Sequence, residues 1–94
     1  MQLLPSIAVF DLEFVGDISD PESCALWEIG ATSLTTNDSF QIVVDPEISI
    51  IPEPKEGCFN LTHKFLENNA VSLKNGLEIF VSWASRYRVF VSHN

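Results

Sequence analysis

Cations and cysteines are scarce in this chain. Five Lys and Arg stand against thirteen Asp and Glu, giving a net charge of −8. A surface of that sign repels nucleic acid unless cations intervene, because phosphate binding needs positive charge. Only two cysteines occur, Cys24 and Cys58. Their separation does not fit a zinc knuckle, and one pair is too sparse for a disulfide scaffold, so a reducing, cytoplasmic location is expected. No Lys or Arg precedes the first apolar stretch, which Asp11 interrupts, so no signal peptide is expected. No apolar run approaches the length of a membrane span, and no membrane partner is expected. Internal repeats and low-complexity segments are absent.

What is present suits a folded domain. The 94 residues make one small domain or part of one, and 46% hydrophobic with 11% aromatic content is enough for a core. The charge is uneven. Residues 1–56 hold eleven Asp and Glu and a single Lys, a balance of −10, whereas residues 57–94 hold two acids and four Lys and Arg, a balance of +2. Most of these acids read as a solvated surface. Asp11 and Glu13 read differently. Ile7-Ala8-Val9-Phe10 leads straight into them, and their i, i+2 spacing on a strand puts both on one face, roughly 7 Å apart. A run this apolar marks a central strand, where acids are costly unless paired. A hard divalent cation is a ready partner, since Mg²⁺ takes one or two carboxylates together with water and phosphate oxygens.

Punctuation and period give the layout. Ile7–Glu13 reads as a first strand, followed by a polar loop from Gly16 to Glu22. Ala25–Leu34 reads as a second, with Trp27, Ile29 and Ala31 on one face and Leu26, Glu28, Gly30 and Thr32 on the other. A turn at residues 35–39 and a strand over Phe40–Asp45 complete an antiparallel hairpin. Pro46, Pro52 and Pro54 keep residues 46–56 outside the sheet. Leu61–Asn69 suggests a short helix, with Thr62 placed to cap it. Ser72 caps a second helix in which Leu73, Leu77, Phe80 and Ala84 recur at helical spacing. Gly76 weakens this helix and marks a close approach. Val89–Val91 reads as a fourth strand ending in Ser92-His93-Asn94. Trp27, Phe80 and Trp83 are expected in the core, Cys24 and Cys58 as buried thiols, and Arg86 and Arg88 at the surface. The order β-β-β-α-α-β predicts an α/β fold with a mixed sheet, its fourth strand returned parallel to the first by a helical crossover. The acids would then lie near His93 and Asn94, at the carboxyl ends of strands where open sheets bind ligands.

Four segments together resemble one family, the DEDDh 3′–5′ exonucleases, the group that includes RNase T and the proofreading subunit of bacterial DNA polymerase III. Val9-Phe10-Asp11-Leu12-Glu13, with Gly16 after it, is similar to the first exonuclease motif, xDxETTG. Leu26-Trp27-Glu28-Ile29-Gly30-Ala31 resembles the family's I-x-EIGA strand. Cys58-Phe59-Asn60-Leu61-Thr62 resembles the C-x-x-LTGI segment, with a cysteine spacing like that of the RNA-trimming branch. Val91-Ser92-His93-Asn94 is similar to the start of V-x-HNAxFD. Phe14 and Val15 replace the two threonines of the first motif, and His63 and Lys64 replace the Gly-Ile of the third segment, in a turn-like stretch.

The resemblance implies an RNase H-like sheet, with residues 1–94 spanning the N-terminal part and stopping before a fifth strand. It implies a site in which Asp11 bridges two Mg²⁺ or Mn²⁺ ions and Glu13 binds one of them, with Phe14, Thr62, His93 and Asn94 near the substrate. The substrate would be a 3′ end of single-stranded DNA or RNA. It also implies that the third acid, the general-base histidine and the fourth acid are not among these residues, so little activity is expected of this chain alone. Exposed apolar surface, and with it a homodimer or a complementing chain, is expected for the same reason. Two other classes compete with the exonuclease: a non-catalytic RNase H-like module that binds without cutting, and an acidic interaction protein without metal chemistry. Glu28 reads as a structural hydrogen-bond partner on the second strand, and Asp17, Asp20 and Glu22 as solvated loop acids.

Overall fold

A computed structural model of the chain describes residues 6–16, 19, 20, 22, 24–52 and 59–92. Strands β1 (Ile7–Val15), β2 (Ala25–Ser33) and β3 (Ser39–Val43) precede helices α1 (His63–Asn69) and α2 (Leu73–Ala84), and strand β4 (Val89–Ser92) follows them. The sheet order is β3-β2-β1-β4. β1 pairs antiparallel with β2 and parallel with β4, and β2 pairs antiparallel with β3. The protein is thus a small α/β domain with a mixed four-stranded sheet and two helices, as the order of apolar segments predicts.

Pleating sorts the side chains. Ala31 lies opposite Phe10 on one side and Phe40 on the other, so these three share a face. That face is covered by α2, whose Trp83 joins Ala8 and Ala31 in a buried cluster flanked by Phe10, Phe40, Phe80, Ala84 and Tyr87. At the other end of the sheet Trp27, Leu61 and Leu66 form a second cluster, which brings α1 and the chain before it under the sheet end. Phe59 stacks on Trp27 at 5.3 Å, and Phe65 meets Trp27 edge-on at 6.3 Å.

Both helices start at side-chain caps. Thr62 Oγ1 accepts from the Phe65 N–H at 3.1 Å, and Ser72 Oγ accepts from the Asn75 N–H at 3.1 Å. Gly76 is buried against Val44, and a Cβ there would collide with the Val44 side chain, so the close approach expected at this glycine is real. Val44 and Val71 form a parallel bridge that ties the end of β3 to the start of α2. Gly16 follows β1 at φ 96°, a left-handed conformation that a β-carbon disfavours.

Several expectations need correction. β1 continues through Val15 instead of ending at Glu13, and β3 covers Ser39–Val43 instead of Phe40–Asp45. α1 begins at His63, so His63 and Lys64 are helical and not part of a turn, while Leu61 is buried ahead of the helix. Of the residues that recur at helical spacing in α2, Leu73 and Leu77 are exposed, while Phe80 and Trp83 pack as expected, around Gly76. Cys24 is half-buried and carries a free thiol, and Cys58 lies outside the described residues. Among the described residues no helix is long and apolar enough to cross a membrane.

Candidate functional site

The site begins with the pleat of β1. Asp11 lies opposite Gly30 and Glu13 opposite Glu28, so the two acids share the face turned away from α2. This is the placement expected from their spacing. β4 runs parallel alongside, with Phe10 level with Ser92. The carboxyl ends of two parallel neighbours therefore meet beside the acids.

Gly30 matters for what it lacks. With no side chain opposite Asp11, the ladder leaves a hollow of about 560 Å³ on this face, lined by Val9, Asp11, Gly30, Thr32, Ser39 and Gln41 among others. Two strands away from Glu13, Gln41 Nε2 donates to Glu28 Oε2 at 2.8 Å and fixes the Glu28 carboxylate in the β2–β3 ladder. Glu28 thus has the structural partner expected of it, and it also contributes charge to the acids of β1.

The proton affinity of Glu13 is raised. Burial raises its proton affinity first. Repulsion from Asp11 and then from Glu28 adds to the rise, and a side-chain hydrogen bond with Asp11 favours the protonated form further. The ionised form of Glu13 is therefore disfavoured at this strand end, a cost that a divalent cation would relieve. Among the described residues, however, no group of three or more His, Cys, Asp or Glu side chains is close enough to hold a metal ion. The chemistry of the donor set suits a hard cation held by Asp11 and Glu13 with water completing its shell.

The ladder is irregular just beyond the acids. β1 advances one residue, from Glu13 to Phe14, while β2 advances two, from Glu28 to Leu26, and Trp27 has no direct β1 partner. Such bulges bend a strand and re-aim its side chains. Phe14 follows the bulge with its ring partly exposed. Thr62 is exposed, but its hydroxyl oxygen is committed to the cap of α1. His93 and Asn94 lie outside the described residues. The structure therefore brings Asp11, Glu13 and, by register, Phe14 to one end of β1, and gives Thr62 a capping role. Gly30 and Gln41 were not foreseen as parts of the site. The register of β2 with its two neighbours would have supplied them, since pairing Ala31 with Phe10 and with Phe40 puts Gly30 opposite both Asp11 and Gln41.

Comparisons with family models, with curated proteins and with solved structures return no match to this chain.

Proposed function

We propose that this chain carries the N-terminal part of a metal-dependent 3′–5′ exonuclease domain of the DEDDh type, on an RNase H-like sheet, and that alone it binds a divalent cation weakly and cuts little. One observation carries the reading. Asp11 and Glu13 project from a single face at the carboxyl end of a strand that is antiparallel to β2 and parallel to β4. Ligands of open α/β sheets gather at such strand ends.

Asp11 and Glu13 would hold Mg²⁺ or Mn²⁺, which supplies charge stabilisation and an activated water for phosphodiester hydrolysis. Glu28, fixed by Gln41, adds negative field without needing to bind directly. The exposed ring of Phe14 offers a stacking surface for a terminal base of a single strand. The substrate class is the 3′ end of single-stranded DNA or RNA, brought to an acidic surface through the cation. Two carboxylates bind a pair of cations poorly, so efficient turnover needs further ligands from residues outside this sequence or from another chain.

The test is titration calorimetry with Mn²⁺ on the wild-type chain, Asp11→Ala and Glu13→Ala. A binding isotherm lost in both variants supports the reading. An isotherm unchanged by either substitution overturns it and favours an acidic interaction protein. Trimming of 3′-labelled single strands in Mn²⁺ is the companion assay. Robust trimming by the monomer, abolished by Asp11→Ala, would keep the chemistry and overturn the incompleteness.

A further inference from the structure

The register brings a third acid level with the pair on β1. Glu28 is directly opposed to Glu13, and Asp11 lies on the same face, level with Gly30. Opposed residues of an antiparallel pair have β-carbons about 4.5–5.5 Å apart, so a glutamate stem is long enough to bring the Glu28 carboxylate beside that of Glu13. Yet among the described residues no group of three His, Cys, Asp or Glu side chains could hold a metal ion. The backbone offers three carboxylates, and the side chains deliver two.

Gln41 accounts for the difference. It faces Gly30 across the β2–β3 ladder, while Glu28 faces Val43, so Gln41 is the diagonal neighbour of Glu28. A diagonal of about 7–8 Å is within reach of two long side chains. Gln41 Nε2 spans it and donates to Glu28 Oε2 at 2.8 Å. The Glu28 carboxylate is therefore held towards β3, on the side away from Glu13. Repulsion between opposed like charges favours the same direction when no cation is bound.

We infer, on the reading that Asp11 and Glu13 hold a divalent cation, that Gln41 is a positioning residue: it keeps Glu28 out of the inner shell of the ion and so sets which ion the site prefers. Mg²⁺ gives up water reluctantly and is usually bound through one or two carboxylates, whereas Ca²⁺ takes about six to eight oxygen ligands. Two carboxylates with room for water suit Mg²⁺ or Mn²⁺. A third would favour Ca²⁺. Gln41 contributes no ligand of its own and acts only through Glu28. Its hydrogen bond is solvent-exposed, so its influence is bounded by the net worth of that one bond. Once the bond is broken, Glu28 is free to turn towards an ion held by Asp11 and Glu13.

Titration calorimetry with Mn²⁺, Mg²⁺ and Ca²⁺ on Gln41→Met tests this, because methionine keeps the stem and loses the donor. The Kd for Ca²⁺ should fall by about two- to tenfold, the range of one net hydrogen bond, and the Kd for Mg²⁺ by less. Water-proton relaxation of the Mn²⁺-loaded variant should show fewer exchangeable waters on the ion than in the wild type, a change that a merely structural role for Gln41 would not produce. In a Glu28→Gln background the same substitution should alter neither quantity. Where circular dichroism shows that Gln41→Met fails to fold, Gln41→Thr takes its place, since its hydroxyl is too short to span the diagonal. A wild-type chain that binds none of the three ions overturns the cation site and the role of Gln41 together. Binding that is lost in Asp11→Ala and Glu13→Ala but unchanged or weakened in Gln41→Met overturns the role of Gln41 alone. An equal effect of Gln41→Met in the Glu28→Gln background does the same.

Discussion

Glu13 and Glu28 are directly opposed across the β1–β2 ladder, two carboxylates in a position where sheets ordinarily pair opposite charges. Burial first, then the Asp11 and Glu28 carboxylates, make the folded protein hold the Glu13 proton more tightly than the unfolded chain does. For such a group the native state binds more protons within the window between the two pKa values, so stability falls as pH rises from the ordinary carboxylate range through the raised folded value. Glu13→Gln should raise stability at neutral pH without divalent cations, towards the lower end of about 0.2–1 kcal/mol because the side chain meets solvent. The gain should vanish in acid, below both pKa values. Thermal melts of wild type and variant between acid and neutral pH, in a chelator, measure it. In millimolar Mn²⁺ the order should reverse, because the wild type alone retains both ligands.

Gly76 and Val44 set the distance between α2 and the sheet. A methyl at position 76 gains helix propensity but overpacks against a valine with no exposed surface. The first effect is worth about 1 kcal/mol and the second costs about 1–3 kcal/mol, so Gly76→Ala should be a net destabilisation of up to about 2 kcal/mol in urea unfolding. In a Val44→Ala background the same change should cost much less, since the colliding atoms are gone. Equal costs in both backgrounds would show that the contact does not limit the packing.

The sheet was legible because its signals are local. Alternation in Ala25–Ser33 and the polar turn after it define the hairpin, and the Asp11 and Glu13 spacing defines their shared face. The packing face of α2 was legible only in part: Phe80, Trp83 and the close approach at Gly76 could be read, but the limits of the face could not, for a physical reason. Its apolar residues spread over more than one third of the helix circumference, and the pattern cannot say which part a sheet of limited width will cover. Trp83 and Gly76 take the centre, and Leu73 and Leu77 are left at the margin. The bulge at Trp27 was hidden as well, because a two-for-one register depends on pairing that no single strand encodes. Of the candidate site, the pair of acids could be read directly. The Gly30 hollow and the Gln41–Glu28 hydrogen bond came only with the cross-strand register.

Thr62 separates a capping role from a substrate role. Its hydroxyl accepts the Phe65 N–H at 3.1 Å and caps α1. Thr62→Ala should cost about 1 kcal/mol in stability, and Thr62→Ser or Thr62→Asp should restore most of it. Affinity for a single-stranded oligonucleotide in Mn²⁺, read by fluorescence anisotropy, should be equal for the Ala and Ser variants once both are folded. A loss confined to the Ala variant under fully folded conditions would return Thr62 to the substrate surface.

Asp38 fastens the β2–β3 turn to the end of α2, accepting from Arg86 Nη1 at 3.2 Å and from the Tyr87 hydroxyl at 3.4 Å. The Arg86 side chain is 64% exposed, which places this ion pair in the class worth little. Arg86→Met should therefore change stability by less than about 0.5 kcal/mol, with almost no dependence on salt. Tyr87 acts mainly through its ring, which lies 4.6 Å from Trp83 and joins the cluster beneath α2. Tyr87→Phe keeps that ring and should be nearly neutral, whereas Tyr87→Ala should cost about 2 kcal/mol or more through lost packing. Urea titrations of the three variants rank the two contributions. If Arg86→Met proves as damaging as Tyr87→Ala, charge holds this corner, and the exposed pair is far stronger than its solvation allows.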